Sequence, residues 1–369
     1  MRIDRLDVYY VAMPLIYPWR TAYGVDYDIH SVLVKLSSGA AEAWSESTCF
    51  FAPTYLNESA GSVFYHVSEV FGPHIVGREY ETAAELHERL EVFKGNSFAK
   101  AALEIGWWTL ESTINGTPLH RLLGGETRAV VAGADFGIQD SYEMLLGNIQ
   151  QAVDAGFPRI KLKVAPGWDL EMLQVVCKAF PEMTFHIDCN SGYTLDDLPF
   201  FKAIDDLGLA FIEQPLHFAD VLDHAALARQ LQTPICLDES IVDVKAAEQA
   251  IRIGACKYIN IKPGRIGGLT NALAVHDMAK DAGIPVWIGG MLESAVGTAV
   301  CVELATLDNF TYPGDLFPSS RFYAQDLAEP PLEFSERHTF RPFTDGLPAP
   351  DPERLKTQTL RAKTVLPEG

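Results

Sequence analysis

Two hydrophobic rhythms divide the chain. From Val130 onward, short apolar runs alternate with stretches whose apolar residues recur every three to four positions. The runs predict strands at Val130–Phe136, Arg159–Val164, Thr184–Asp188, Ala210–Gln214, Ile235–Asp238, Tyr258–Lys262, Val286–Gly289 and Phe310–Tyr312. The stretches between them predict helices over Tyr142–Ala155, Leu170–Phe180, Leu195–Leu207, Val221–Leu231, Val244–Ile253, Leu269–Ala282 and Val296–Leu307. Eight strands in regular alternation with seven helices favour a closed α/β barrel, a modified TIM barrel of the (β/α)7β kind, over an open sheet.

Before Val130 the pattern differs. Ile3, Leu6, Val8 and Tyr10 alternate with other residues at a strand's period of two, and Ser31–Leu36 and Ala40–Ser45 flank Ser37-Ser38-Gly39, a hairpin signal. Helical stretches follow near Glu58–Val70, Thr82–Phe93 and Phe98–Ile114, the last stopped by Asn115-Gly116. This order predicts a separate α+β capping domain over residues 1–125, the barrel over 126–327, and a Pro-rich C-terminal segment, 328–369, that packs back on the cap. The aromatic-rich segment Leu15–Asp28, carrying Arg20, Thr21 and Tyr23, is expected to be a lid loop over a substrate.

Composition narrows the function. An apolar fraction of 48% with 21% charged residues describes a packed globular protein. The net charge of −20 argues against nucleic acid or an anionic membrane as partner, yet leaves room for an anionic substrate, because a few lysines set the field inside a pocket. No apolar run of about 18 residues predicts a membrane span, and Met1–Arg20 has no uninterrupted apolar core of a secretory signal. Six scattered cysteines without a CxxC read as free, buried thiols of a cytoplasmic protein.

The chemistry lies in a ladder of charges at the predicted strand ends. Lys163, Asp188, Glu213, Asp238 and Lys262 follow one another at 25, 25, 25 and 24 residues, the length of one βα unit of this chain. Each therefore falls at the same level of five successive strands, at the end where barrel enzymes carry their chemistry. One aspartate at a strand end is ordinarily a helix cap; five charges in phase are not. Three carboxylates converging on one mouth repel unless a cation joins them, and an all-oxygen set suits Mg²⁺, with Mn²⁺ able to substitute. Lys161 and Lys163 are two apart on one strand and face the same way. Their repulsion, together with the nearby metal, is expected to lower the pKa of Lys163 toward that of a base. Lys262 lies across the barrel. Asn190 is expected to orient a ligand, and Glu239 to sit behind a lysine. Gly264-Arg265-Ile266-Gly267-Gly268 fits no nucleotide-binding fingerprint, and His186 and His217 read as structural.

At these residues the chain resembles a known family. Lys161-Leu162-Lys163, Asp188-Cys189-Asn190, Glu213-Gln214-Pro215, Asp238-Glu239-Ser240 and Lys262-Pro263-Gly264-Arg265 are similar to the ordered motifs of the muconate-lactonising branch of the enolase superfamily. Gly289-Gly290-Met291-Leu292-Glu293 and Asn309–Asp315 resemble its o-succinylbenzoate synthase / N-acylamino acid racemase family. There are departures: Glu42-Ala43-Trp44-Ser45-Glu46 in the cap, Ser294-Ala295, and Leu316-Phe317-Pro318-Ser319 differ from the usual residues, and they border the substrate. The resemblance implies Mg²⁺-dependent removal of a proton α to a carboxylate. Asp188, Glu213 and Asp238 would hold the metal, Lys163, Lys262 and Lys161 would serve the proton transfers, and Arg20, Tyr23, Asn190, Gly290, Met291, Glu293 and Ser294 would border the substrate. A small-molecule carboxylate is the expected partner, and the chain is expected to assemble as a homo-oligomer. The first expectation is a dehydration giving o-succinylbenzoate in menaquinone synthesis; the second is racemisation of N-succinylamino acids. A barrel lyase with a Schiff-base lysine leaves the three carboxylates unexplained, and a non-catalytic binding protein leaves the lysine–carboxylate set without a purpose.

Overall fold

The computed structural model describes residues 1–367. Seven parallel strands form the barrel sheet in chain order: Ala134–Phe136, Ile160–Lys163, Phe185–Asp188, Ile212–Glu213, Ile235–Leu237, Tyr258–Ile261 and Val286–Ile288. The predicted eighth strand, Phe310–Tyr312, is reduced to bridges. Phe310 pairs in parallel with Val286, and Gly314 with Ala132. Val286 N donates to Asn309 O at 3.1 Å and Gly314 N to Val131 O at 2.8 Å, so residues 309–315 bind both edges of the sheet and close the ring. Pro313 lacks an N–H, which keeps this segment from running as a ladder strand.

Arg159 rivets the seam. Its buried guanidinium donates to Ala134 O at 2.9 Å and Gly314 O at 2.7 Å and pairs with Asp315 Oδ1 at 3.2 Å. At the base of the barrel His186 is buried with Phe211 and Trp287, and its Nδ1 meets Tyr312 Oη at 3.0 Å. Burial pushes its pKa well below the usual histidine range, as a structural, neutral ring requires. His217 only takes the N–H of Ala219, two residues on.

The helices lie where the periodicity places them, and their ends follow local chemistry. Ser141 and Asp243 accept from the backbone N–H groups of Met144 and Ala246, and Gly156 and Gly254 end their helices at φ 85° and 71°.

The cap is an antiparallel sheet with strands β1 (Arg5–Thr21), β2 (Gly24–Ser38) and β3 (Ala41–Thr48), and Thr359–Val365 completes it against β1. Helix α1 (Ser97–Asn115) covers one face; Ser45 Oγ and Ser47 Oγ donate to its Ala102 O and Phe98 O at 2.6 and 2.8 Å. The Glu104 carboxylate on α1 accepts from the N–H groups of Leu269 and Thr270 at 2.6 and 2.9 Å, at the start of the barrel helix Leu269–Asp281. It fills the place where the Gly264–Gly268 loop could otherwise offer amides to an anion, and it joins cap to barrel.

The expected lid loop is instead the far end of the β1–β2 hairpin. After a break between Pro14 and Trp19, pairing resumes as Trp19↔Asp26, Arg20↔Val25 and Thr21↔Gly24. Pro14 and Pro18 interrupt the ladder because neither can donate, while Tyr17 and Trp19 suit an extended backbone. The lid is therefore a stiff arm with Ala22 and Tyr23 at its tip.

Candidate active site

Strand register aligns the first three charges of the ladder, whereas Glu213 pairs with Cys236 and Leu237 with Ile259, so Asp238 and Lys262 each sit two residues beyond the level expected. Lys163 is level with Asp188, and Asp188 with Glu213. One oxygen each from Asp188, Glu213 and Asp238 lie within 4.8 Å of one another, all three side chains fully buried. Asn260 Nδ2 orients Glu213 through Oε1 at 2.7 Å, which leaves Oε2 without a hydrogen bond; Lys161 Nζ lies 3.0 Å from it but out of line. A buried cluster of hard oxygens with an acceptor that lacks a hydrogen bond fits a small divalent cation.

Three lysines and Arg265 stand around the cluster. Lys161 Nζ reaches Asp188, Glu213 and Asp315 at 2.9, 3.0 and 3.1 Å. Lys163 Nζ contacts Asp188 Oδ2 at 2.7 Å, and Lys262 Nζ contacts Asp238 Oδ2 at 2.9 Å. The two candidate proton-transfer groups thus approach from strands on opposite sides of the carboxylates. With no ion on Asp188, the pKa of Lys163 shifts upward. Burial pulls it down, but Asp188 pushes it up by more than Lys161 lowers it. Lys161 is held well above its ordinary value against the same burial, by Asp188, Asp315 and Glu213. Burial acts to raise Asp188, but Lys161 and Lys163 hold its carboxyl well below the usual range, whereas burial and the charge of Asp188 raise Glu213.

The strand ends that shape the mouth use the left-handed region. Asn190, Ser191, Gln214 and Leu292 have φ of 42°, 60°, 39° and 61°. Such backbone is costly for a side-chain-bearing residue and marks sites where geometry is over-determined. It lets Gln214 turn sharply after Glu213 and accept from the N–H groups of Asp238 and Ser240 at 3.0 and 3.1 Å, fixing the next strand end.

The chamber over the cluster is small, about 30 Å³. Lys161, Lys163, Lys262, Asn190, Gly290 and Met291 line it, roofed by Tyr23 of the lid with Trp19, Tyr55 and Phe317. Three expected contacts lie elsewhere. Arg20 turns away from the chamber, because strand alternation sets it opposite to Trp19 and Thr21, and pairs with Asp140 at a neighbouring pocket. Ser294 is buried behind the chamber, its N–H and Oγ both given to Glu46. Glu293 folds back to accept from Met291 N at 2.9 Å, and burial pushes its pKa up to about 7. Glu239 bonds Asn190 Nδ2 at 3.1 Å instead of a lysine, which are taken by nearer carboxylates; burial pushes it too up to about 7.

Sequence reasoning missed four participants. Tyr55, from the cap, donates to Asp238 Oδ1 at 2.9 Å and accepts from Lys262 at 3.1 Å. Arg265 is fully buried against Asp238 and Tyr55. Asp315 pairs with Lys161, and Asp135 lines the chamber with Oδ1 unpartnered. The Lys262-Pro263-Gly264-Arg265 spacing was the available signal for Arg265; nothing local points to Tyr55.

A three-carboxylate cluster between two lysines at barrel strand ends, beneath an α+β cap, defines an enzyme of the enolase superfamily, to which this chain belongs. Residues 5–124 match the mandelate racemase / muconate lactonizing enzyme N-terminal domain, and residues 145–348 the enolase C-terminal domain-like family. Among its relatives, the N-succinylamino acid racemase of Thermus thermophilus is 42% identical over 333 residues, covering 90% of each chain. The o-succinylbenzoate synthase of Geobacillus kaustophilus is 39% identical over 334 residues, covering 90% of this chain and 89% of that one. A crystal structure of an enolase-superfamily protein from Listeria innocua superposes with a TM-score of 0.94 at 33% identity over 99% of both chains. No helix among the described residues is long and apolar enough to cross a membrane.

Proposed function

We propose that this enzyme is a Mg²⁺-dependent o-succinylbenzoate synthase of the cytoplasm, acting by removal of a proton α to a carboxylate. The observation that carries the reading is Lys163 and Lys262 set against opposite members of one buried three-carboxylate cluster. Asp188, Glu213 and Asp238 would hold the ion, which would supply positive charge where negative charge develops on the substrate carboxylate. Lys163 takes the α-proton and returns it to the departing hydroxyl on the same face. Its amine becomes available once Asp188 shares its charge with a ligand other than lysine. Lys262 supplies a fixed positive charge from the other face, positioned by Asp238 and Tyr55. The lid tip, Tyr23, and the aromatic roof keep water from the reacting centre.

A second reading, racemisation of N-succinylamino acids, is supported by the same opposed lysines, since racemisation needs an acid/base group on each face, and by the name of the Thermus relative. A Schiff-base lyase is not favoured: each of these lysines is paired with a carboxylate, while imine formation needs a free amine. The test is Lys163→Ala. We expect a loss of at least about 10³-fold in kcat for o-succinylbenzoate formation; a variant within tenfold of the parent shows that the base is another group.

A further inference from the structure

Behind the chamber lies a larger pocket, about 520 Å³. Trp19, Asp135 and Phe317 line both spaces and so form the partition between them. The walls are largely aromatic, with Tyr17, Phe136, Phe157 and Phe334. Two arginines reach the pocket. Arg20 is already paired with Asp140. Arg321 is not paired: its guanidinium lies over the rings of Tyr17, Phe322 and Phe136 at 5.2, 5.5 and 5.9 Å and donates to Asp135 O at 3.2 Å. Among the described residues no carboxylate forms an ion pair with it.

A guanidinium has five N–H donors, and a half-buried one among aromatic walls favours a planar anion that can accept two of them. The reaction proposed above leaves such an anion to be housed. Both relatives are named for succinyl compounds, and a succinyl group is a four-carbon arm ending in a carboxylate. The reacting carboxylate belongs at the metal-ligand cluster. At about 30 Å³ the chamber holds neither carboxylate with its carbon frame, so a bound substrate must extend past Trp19 and Phe317. Beyond the partition there is space, an apolar wall for the methylenes, and an unpaired cation one backbone group from the chamber.

We propose that the pocket behind Trp19 and Phe317 is the arm subsite and that Arg321 binds the terminal carboxylate of the substrate's succinyl arm. This rests on the reading of the site as an α-proton-abstracting centre for succinyl substrates. Arg321→Met is expected to raise KM for N-succinylphenylalanine about 10- to 100-fold, the worth of a charge-assisted hydrogen bond. The ratio of kcat/KM for N-succinyl- over N-acetylphenylalanine, which lacks the terminal carboxylate, falls by the same factor, and Arg321→Lys recovers part of it. An equal fall for both substrates, the ratio staying within threefold, overturns the proposal and leaves Arg321 as a prop for the lid aromatics. If the parent enzyme exchanges the α-proton of neither compound in D₂O, the racemase reading fails, and if it also forms no o-succinylbenzoate the catalytic reading fails with it. The subsite is then read by calorimetry with o-succinylbenzoate in the presence of Mg²⁺: weaker binding to Arg321→Met supports it, and equal affinity refutes it.

Discussion

Gly289 offers a test of the two-lysine geometry that touches neither lysine. It ends the strand Val286–Ile288, and its own φ is unexceptional, so alanine meets no backbone strain there. A Cβ at this position would, however, sit 2.6 Å from Lys262 Cε and 2.2 Å from Asn260 Oδ1. Carbon atoms pack at about 3.5–4.0 Å, so Lys262 Cε must retreat by roughly 1 Å. It cannot pivot freely, because its Nζ is held by Asp238 and Tyr55. Asn260 must yield too, and with it the bond that orients Glu213. Overpacking of this kind costs about 1–3 kcal/mol, within the stability of an ordinary domain, so the protein stays folded. A 1 Å displacement of a reacting group costs about 10²-fold in rate, or about 2.7 kcal/mol of barrier. The assay is α-proton exchange of each enantiomer of an N-succinylamino acid in D₂O, followed by NMR, with a thermal melt as control for folding. Gly289→Ala should slow both enantiomers through Glu213, and the one that Lys262 serves by about a further 10²-fold. Equal exchange of both enantiomers at parental rates in a folded variant would refute the reasoning.

Other outcomes follow from the same geometry. Glu213→Gln should weaken Mg²⁺ binding by at least about 100-fold in calorimetry, beyond the 10- to 100-fold of groups one step removed from a metal; unchanged affinity removes Glu213 from the ligand set. Asp238→Asn should in addition lower the melting temperature, because Lys262 and Arg265 lose a buried counter-charge that Glu213 does not supply. Lys262→Arg keeps the charge but not the titration, and should abolish racemisation of N-succinylamino acids while leaving measurable o-succinylbenzoate synthesis; loss of both together argues against separate roles. Glu293 titrates near 7 in the folded protein and near 4.3 unfolded, so the fold binds its proton more tightly. Its contribution is full below about pH 4 and lost as the pH rises through 7, a loss on the order of 3 kcal/mol. Glu293→Gln, which keeps the acceptor for Met291 N, should therefore gain on the parent in denaturant midpoint at pH 8 relative to pH 4.5; parallel profiles would show that Glu293 does not titrate late.

The ladder Lys163, Asp188, Glu213, Asp238, Lys262 was legible because it rides on the repeat length of the fold, and the repeat is visible as hydrophobic rhythm. Parallel register turns equal spacing into proximity for Lys163, Asp188 and Glu213, while Asp238 and Lys262 reach the same site from two residues beyond level. The upward shift of Lys163 with no ion on Asp188 was not legible, since it depends on which carboxylate lies nearest, and Asp188 at 2.7 Å outweighs the repulsion of Lys161. Tyr55 was hidden for another reason: it stands 183 residues before its partner Asp238, in a loop without periodicity. The lid was misread as a loop because two prolines broke the alternation that resumes at Trp19. The eighth strand had the composition of a strand, but its pairing depends on both edges of a ring that only the folded barrel presents.

The pairing of β1 with Thr359–Val365 fixes an order of events during synthesis. Leu6 meets Val365, 359 positions downstream, so the outer edge of β1 must wait while the barrel between them is translated. At about 5–20 residues per second that interval is tens of seconds, and domains fold as they emerge. The barrel, rich in neighbouring contacts, can form during the wait. The β1 edge, with its backbone groups unpaired, remains open to wrong partners until the last strand arrives. Docking of this last strand covers only Leu6–Val11, while the far end of the hairpin is held from the barrel side, Ile16 N donating to Phe322 O at 2.9 Å and Ile138 N to Arg20 O at 3.1 Å. A ribosome-bound chain halted before residue 359 would keep those contacts and leave the β1 edge bare.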